Sequence, residues 1–421
     1  MVPVAEAAAQ ILALTSLPQG PAAIELVPLA EASGRVLATP IVSNLDMPPW
    51  DNSAMDGYAV RHADVQDARA EQPIILSVSE TIPAGRWPTL SVNPGQAARI
   101  FTGSMMPAGA DTVVIQEVTE RQGNQVKILE PPQPRQFVRT QGSFYRAGSS
   151  LIGPGVVLGG PEMAVLAAAQ CTQVAVFRQP RVAILSTGDE LVSPETPLQP
   201  GQIVDSNQPA LAALVQQAGG VPVPLGIIPD QPDLLAQAMQ AALAQADLVL
   251  SSGGVSVGDF DYVDQILADL GATLHIRSVA VKPGKPLTVA TLPRPGQPPT
   301  DSILYFGLPG NPVSALVSFW RFVEPALRKR SGLQEGWSPV LVTATTRHPL
   351  KGSGNRETYL WGYLKGIKGA LEFHLAGGSH SSGNLVNLAG TNGLAVVPLG
   401  LETIPVDAPV QVMLIGRVLS E

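Results

Sequence analysis

The 421-residue chain has one cysteine, Cys171, so it forms no internal disulfide and no Cys-based zinc or iron–sulfur cage. Its five histidines are scattered, with no H-x-x-x-H pair of the kind that binds metal on a helix. Charge is scarce too. Asp, Glu, Lys and Arg make 14% of the residues, against about 25% in typical globular domains. The balance is acidic, at −8, with no basic run, which argues against nucleic acid or an anionic membrane as partner. No apolar run reaches the ~18 residues of a membrane span. The first fourteen residues lack a basic leader, and Glu6 interrupts their apolar stretch. No signal peptide is expected, and the cytoplasm is the expected location.

The chain does have 45% hydrophobic residues, 41 glycines and 40 prolines. The glycines and prolines separate many short periodic segments, and the length suits about two to four domains. Val4 to Leu14 has helical apolar spacing. The stretch Met47 to Val60 is proline-led and dense in turn formers, with Asp51 and Asp56 beside Asn52 and Ser53. Its residues alone predict an ordered loop with Asx turns. Strand-length runs at 74–78, 97–101, 112–115 and 126–129 predict a β-rich region, with a turn-rich connector at 102–111. A helix over 161–170 suggests that residues 146–179 rejoin the N-terminal helix. From Arg181 the pattern is β-α-β, implying a mostly parallel sheet covered on both faces. After Ser338 the strands return with Gly-, Ser- and Asn-rich loops. The division expected is therefore a discontinuous domain (1–45 with 146–179), a β-rich domain (46–145), an α/β domain (180–331) and a β-barrel-like domain (335–421). As a fold class this is multidomain α/β and β.

The stretch from Ala246 to Pro286 organises the rest. A strand over Asp247–Ser251 runs into Gly253, Gly254 and Gly258, and an amphipathic helix opens at Asp261. Such a loop lies at the carboxyl end of a strand, where open α/β sheets bind ligands. Glycines free N–H groups for an anion, while Asp259, Asp261 and Asp264 would repel one unless Mg²⁺ bridges them. Lys282 and Lys285, clamped by Pro283 and Pro286, add cations. Asp261 also suits a helix N-cap with Asp264 at N3, and both readings stand together. Ser256 sits in a G-x-S-x-G stretch resembling a hydrolase elbow. However, the strand ends before Gly253, the helix starts about five residues after Ser256, and no oxyanion stretch is present. Acids recur at other strand ends, at Glu190, Asp205 and Asp230, which suggests a cleft. Asn311 with Pro312 reads as a helix N-cap and N1.

Seven spaced motifs carry a resemblance: D-N-S-A-M-D-G-Y-A (51–59), T-G-x-x-x-P-x-G-A-D (102–111), S-T-G-D-E-L (186–191), D-S-N (205–207), S-G-G-V-S-V-G-D-x-D-Y (252–262), K-P-G-K-P (282–286) and G-L-P-G-N-P-V-S (307–314). In this order and over nearly the whole chain they resemble the molybdopterin molybdenumtransferases, the MoeA family that includes the gephyrin E domain. The resemblance implies a molybdopterin-binding α/β fold and a homodimer. It implies Mg²⁺-dependent insertion of molybdate into adenylylated molybdopterin, with release of AMP. Glu190, Asp230 and Asp261 would be the Mg²⁺ and phosphate-side acids, supported by Asp259. Gly253, Gly254, Ser256 and Gly258 would form the pterin-side loop. Lys282 and Lys285 would hold phosphate or molybdate, and Pro309 and Pro312 would shape the pocket floor. Asp51, to which the residues alone assign no structural duty, and Thr102 would join the cleft from the partner subunit, and Arg356 and Ser379 are further carry-overs. The molybdopterin adenylyltransferase is the implied partner. The 180–330 region also resembles that adenylyltransferase, and gephyrin-type scaffolding is a second alternative. One departure stands out: where the family has an acidic pair, this chain has Ser143 and Phe144, so no catalytic residue is carried over there.

Overall fold

The computed structural model describes residues 1–253, 262–294 and 302–420. The chain divides into two compact units, one of residues 40–153 with 164–171, the other of 1–39, 154–163 and 172–421.

The smaller unit is built on a six-stranded sheet ordered Thr112–Ile115, Gly57–Val60, Gln96–Ile100, Ile74–Ile82, Gln125–Ile128 and Thr119–Gln122. Alternation along these strands feeds two apolar clusters. Tyr58, Val60, Leu76, Ala97 and Val114 enter one, and Ala59, Ile82, Ala98, Ile100 and Val113 enter the other. The Met47–Val60 loop hangs from the strand Gly57–Val60, which pairs on both edges and is buried throughout.

In the larger unit the sheet order is Val221–Ile228, Arg181–Thr187, Leu248–Ser252, Ser302–Leu308, Pro286–Pro293 and Thr273–Ser278. The first four strands run parallel and the last two join antiparallel. A strand buried on both faces must be apolar at every position. Accordingly, Val182 and Ile184 enter the core shared with Val4, Ala7, Ile11, Leu211 and Val313, while Ala183 and Leu185 pack with Leu235, Met239, Val263 and Ile266. At the amino end of the sheet Asp247 is 5% exposed. It accepts from the Arg181 N–H (2.8 Å), Arg178 (3.1 Å) and Arg294 (3.0 Å). Burial alone would push its carboxyl up, but these hydrogen bonds and charges hold it below the usual range. Beyond the sheet, Leu341–Thr346, Glu357–Ile367, Ala370–Leu375, Gly393–Val397 and Pro409–Leu414 close into a five-stranded barrel, because Glu357–Ile367 pairs with both Ala370–Leu375 and Gly393–Val397. The expected fold class, α/β with a β-rich insert and a C-terminal barrel, is the observed one.

Two local readings differ. The helix expected to run unbroken to about Arg330 is Pro312–Ser318, a wider π-turn at Phe319–Val323, then Glu324–Arg330. Pro325 near the start of the last segment has no N–H to continue the ladder, which accounts for the irregular turn. Asn311 occupies the N-cap position, yet its side chain makes no capping bond. The Val313 N–H it would serve donates instead to the Ser382 carbonyl at 3.0 Å.

Candidate functional site

The parallel strands end together, and their register sets the order of groups along that edge. Thr187 is level with Ile228, Ser186 with Ser252, and Ser252 with Leu308. The antiparallel strand Pro286–Pro293 starts at this edge, since Thr288 is level with Gly307. Read across, the edge carries Asp230, then Gly188-Asp189-Glu190, then Ser252-Gly253, then Pro309-Gly310, and finally Lys285-Pro286. Acids stand at one end, glycines in the middle and lysines at the other.

At the acidic end the Asp230 N–H donates to Asp189 Oδ1 at 3.1 Å. Partial desolvation, and then the charges of Asp189 and Glu190, push the Asp230 carboxyl above its ordinary value. Glu190 folds back over Gly188, where an added Cβ would meet its Oε2 at 2.6 Å. In the middle, Gly253 has φ +91°, and a Cβ there would stand 2.3 Å from the Thr187 carbonyl, so only glycine fits. A Cβ on Gly310 would be 3.7 Å from the Gly253 Cα, so the two loops run backbone to backbone. At the basic end Lys282 and Lys285 are exposed, and neither ammonium has an ion-pair partner among the described residues. Their loop is pressed onto the helix Pro312–Ser318, because Gly284 approaches Ser318 and Ser314. Pro309 is buried and Pro312 half-buried at that helix's first turn.

The expected positions Gly254, Ser256, Gly258, Asp259 and Asp261 lie outside the described residues. Among the described residues no three His, Cys, Asp or Glu side chains are arranged to hold a metal ion. Arg356 contributes its carbonyl to Ser353 and Thr358, and the Ser379 carbonyl accepts from Asn384 and Asn387.

In the smaller unit Asp51 is not idle. Its Oδ1 accepts the Gln141 N–H at 2.8 Å and its Oδ2 accepts the Arg135 guanidinium at 2.9 Å. The carboxylate thus ties the loop to the stretch that lacks the acidic pair, a duty the bare residues did not announce. Thr102 is bound by a different acid: Asp56 Oδ1 accepts both its N–H and its hydroxyl, each at 2.8 Å. Those bonds hold Asp56 below the usual carboxylate range. Asn52 and Ser104 beside them keep buried polar atoms without partners among the described residues.

Two contributors were not singled out from sequence, Asp189 and Asn207, while Asp56 was noted beside Asp51 but given no role. Asp189 neighbours Glu190 in the quoted S-T-G-D-E-L, so repetition of acids could have found it. Asn207 stood in D-S-N, but its role depends on which strand ends meet there.

An edge graded from acids through close-packed glycines to lysines with no ion-pair partner among the described residues is the kind of strand edge at which open α/β sheets take charged ligands. Family models match the MoeA N-terminal region (domain I and II) at residues 2–169, a probable molybdopterin binding domain at 183–329 and the MoeA C-terminal region (domain IV) at 343–415. A molybdopterin molybdenumtransferase of a Nostoc species is 59% identical over 89% of this chain and 85% of its own. One from Haemophilus influenzae is 37% identical over 86% and 87%. The crystal structure of a molybdopterin biosynthesis moeA protein from Pyrococcus horikoshii superposes with a TM-score of 0.82, at 29% identity, over 98% of this chain and 100% of that one. The chain belongs to the molybdopterin molybdenumtransferase family, transferases of molybdenum cofactor biosynthesis.

Proposed function

We propose that the chain inserts molybdate into adenylylated molybdopterin and releases AMP, with Mg²⁺, as a cytoplasmic homodimer. The observation that carries this reading is the graded strand edge. Molybdate, the diphosphate link and the pterin phosphate are all anions, and Lys282 and Lys285, without an ion-pair partner among the described residues, would meet them. Glycine backbones at 253 and 310 leave room for a close approach. The oxygen donors Asp189, Glu190 and Asp230 fit a hard cation in kind; partial burial and then the charges of Asp189 and Glu190 raise the Asp230 carboxyl, and such a cation would offset both. Glu190 and Asp230 would hold Mg²⁺ together with Asp261, and Asp259 would support them. When bound, the ion would neutralise charge developing on the leaving phosphate. Pro309 and Pro312 fix the floor, and Asn311, released from capping, leaves its amide free to orient substrate.

Asp51 and Thr102 serve this reaction from the partner subunit, the Asp51 carboxylate already fixed by Gln141 and Arg135 and Thr102 by Asp56. The molybdopterin adenylyltransferase is the fitting donor of the activated substrate. Incubation of the purified chain with adenylylated molybdopterin, molybdate and Mg²⁺ should yield AMP in proportion to molybdate supplied. Release of AMP that ignores both molybdate and Mg²⁺ would overturn the reading.

A further inference from the structure

Asn207 is the first residue of the helix Asn207–Gln217 and is 7% exposed. Asp205 Oδ1 fixes it from behind by accepting the N–H groups of Asn207 (3.0 Å) and Gln208 (3.1 Å). Its Nδ2 donates to Ser252 Oγ at 2.6 Å and to the Gly310 carbonyl at 2.8 Å. One side chain thereby joins the ends of two strands from which the ligand loops spring. A carbonyl can only accept, so the Gly310 contact fixes which way the amide faces. Oδ1 is left buried with no donor among the described residues, and Ser186 Oγ, 1% exposed, is left likewise. Ser186 is the register partner of Ser252 on the neighbouring parallel strand, so the two hydroxyls leave the same face of the sheet.

A buried polar atom without a partner costs stability, and folded chains tolerate few of them. Two such atoms on one face at the carboxyl edge of a parallel sheet mark where a ligand supplies the missing bonds. An amide oxygen accepts and never donates, so the ligand group facing Asn207 must carry N–H or O–H.

We propose that Asn207 is a specificity-determining substrate contact, with Ser186 beside it: Asn207 Oδ1 accepts a hydrogen bond from an N–H or O–H of the bound substrate while its Nδ2 holds the Ser252 and Gly310 ends in place. The inference rests on the functional reading above. Donors of this kind occur on the pterin ring and on the adenylyl group alike, and separate probes tell them apart.

The test is isothermal titration of molybdopterin and of AMP into wild type, Ser186→Ala and Asn207→Ala, with the Tm of each protein measured unliganded. Ser186→Ala should leave the unliganded Tm unchanged or raised, because its hydroxyl has no bond to lose among the described residues. It should nevertheless weaken one probe about two- to tenfold. Asn207→Ala should lower Tm and weaken the same probe about tenfold or more. Weakening confined to molybdopterin places the contact on the pterin, and weakening confined to AMP places it on the nucleotide. If both variants bind both probes as wild type does, the proposal is wrong. It is also wrong if Ser186→Ala lowers the unliganded Tm with affinities unchanged, since the hydroxyl then has a structural partner. A wild-type chain that binds neither probe overturns the functional reading, and this inference with it.

Discussion

Asp51→Asn separates a latch from a reacting group. The carboxylate accepts from the Gln141 N–H at 2.8 Å and from Arg135 at 2.9 Å, and the two ion-pair side chains are 54% and 38% exposed. A pair so open to solvent is worth about 0.2–1 kcal/mol after screening. The N–H bond adds about 0.5–1.5 kcal/mol. Asparagine keeps an oxygen for Gln141 and loses only the charge facing Arg135, so the expected loss is about 1 kcal/mol, a Tm shift of about 2–4 °C. Against a total stability of about 5–15 kcal/mol that leaves essentially every molecule folded. Loss of a proton-transferring group costs far more, about 10²–10⁴ in rate. Steady-state AMP release together with thermal denaturation therefore resolves the two roles. The expected result is a small Tm shift with turnover down at least ~100-fold. Turnover within about threefold of wild type, alongside the same Tm shift, would refute the chemical role and leave Asp51 a latch.

Asp230→Asn should stabilise the metal-free protein near neutral pH. The raised folded-state carboxyl imposes a penalty that is absent below the ordinary carboxylate range and complete above the raised value, so the gain should vanish on acidification. Wild type should gain Tm on addition of Mg²⁺ and the variant should not; an unchanged Tm near neutral pH in the variant counts against the crowding. Gly253→Ala should disrupt the edge and lower Tm, since its Cβ meets backbone at 2.3 Å with φ +91°, a cost of about 1–3 kcal/mol or more. An unchanged Tm in Gly253→Ala would contradict the geometry. Light scattering should report a dimer at micromolar concentration, and Asp51→Ala subunits mixed with Asp261→Ala subunits should recover activity that neither mutant homodimer has. Failure to recover would place both residues in one subunit's site.

Much of the fold was legible because its signals are local. The helices Val4–Leu14 and Pro232–Gln245 match their expected bounds, since periodicity marks a helix's face and Pro232 marks a start. The strand Leu248–Ser252 begins one residue later than Asp247, whose carboxylate is occupied by Arg178 and Arg181. Pairings between distant segments were not legible. Ile24–Pro28 lies against Gln173–Phe177, and its outward Leu26 is 70% exposed, so the pair shows too weak an alternation to read from sequence. Closure of the barrel by Glu357–Ile367 against Gly393–Val397 is equally a property of partners. The bare Asn311 side chain follows the same logic, because its expected capping bond went to Ser382, a residue no local rule connects to it.

The candidate site divides on this line as well. Acids at strand ends were visible by repetition, but the division of labour among them was not. Asp56 rather than Asp51 holds Thr102, and Asn207 ties Ser252 to Gly310, contacts that exist only once strands align. The stretch lacking the acidic pair shows what such contacts permit. Gln141 grips Asp51 through its backbone N–H and reaches Asp46 with its side chain. The Phe144 N–H bonds the Met47 carbonyl while its ring is 66% exposed. A frame held by backbone donors does not depend on the side chains at 143 and 144. Exchanging acids for Ser143 and Phe144 therefore leaves the Asp51 loop held as it is and changes only the charge it presents to an anion.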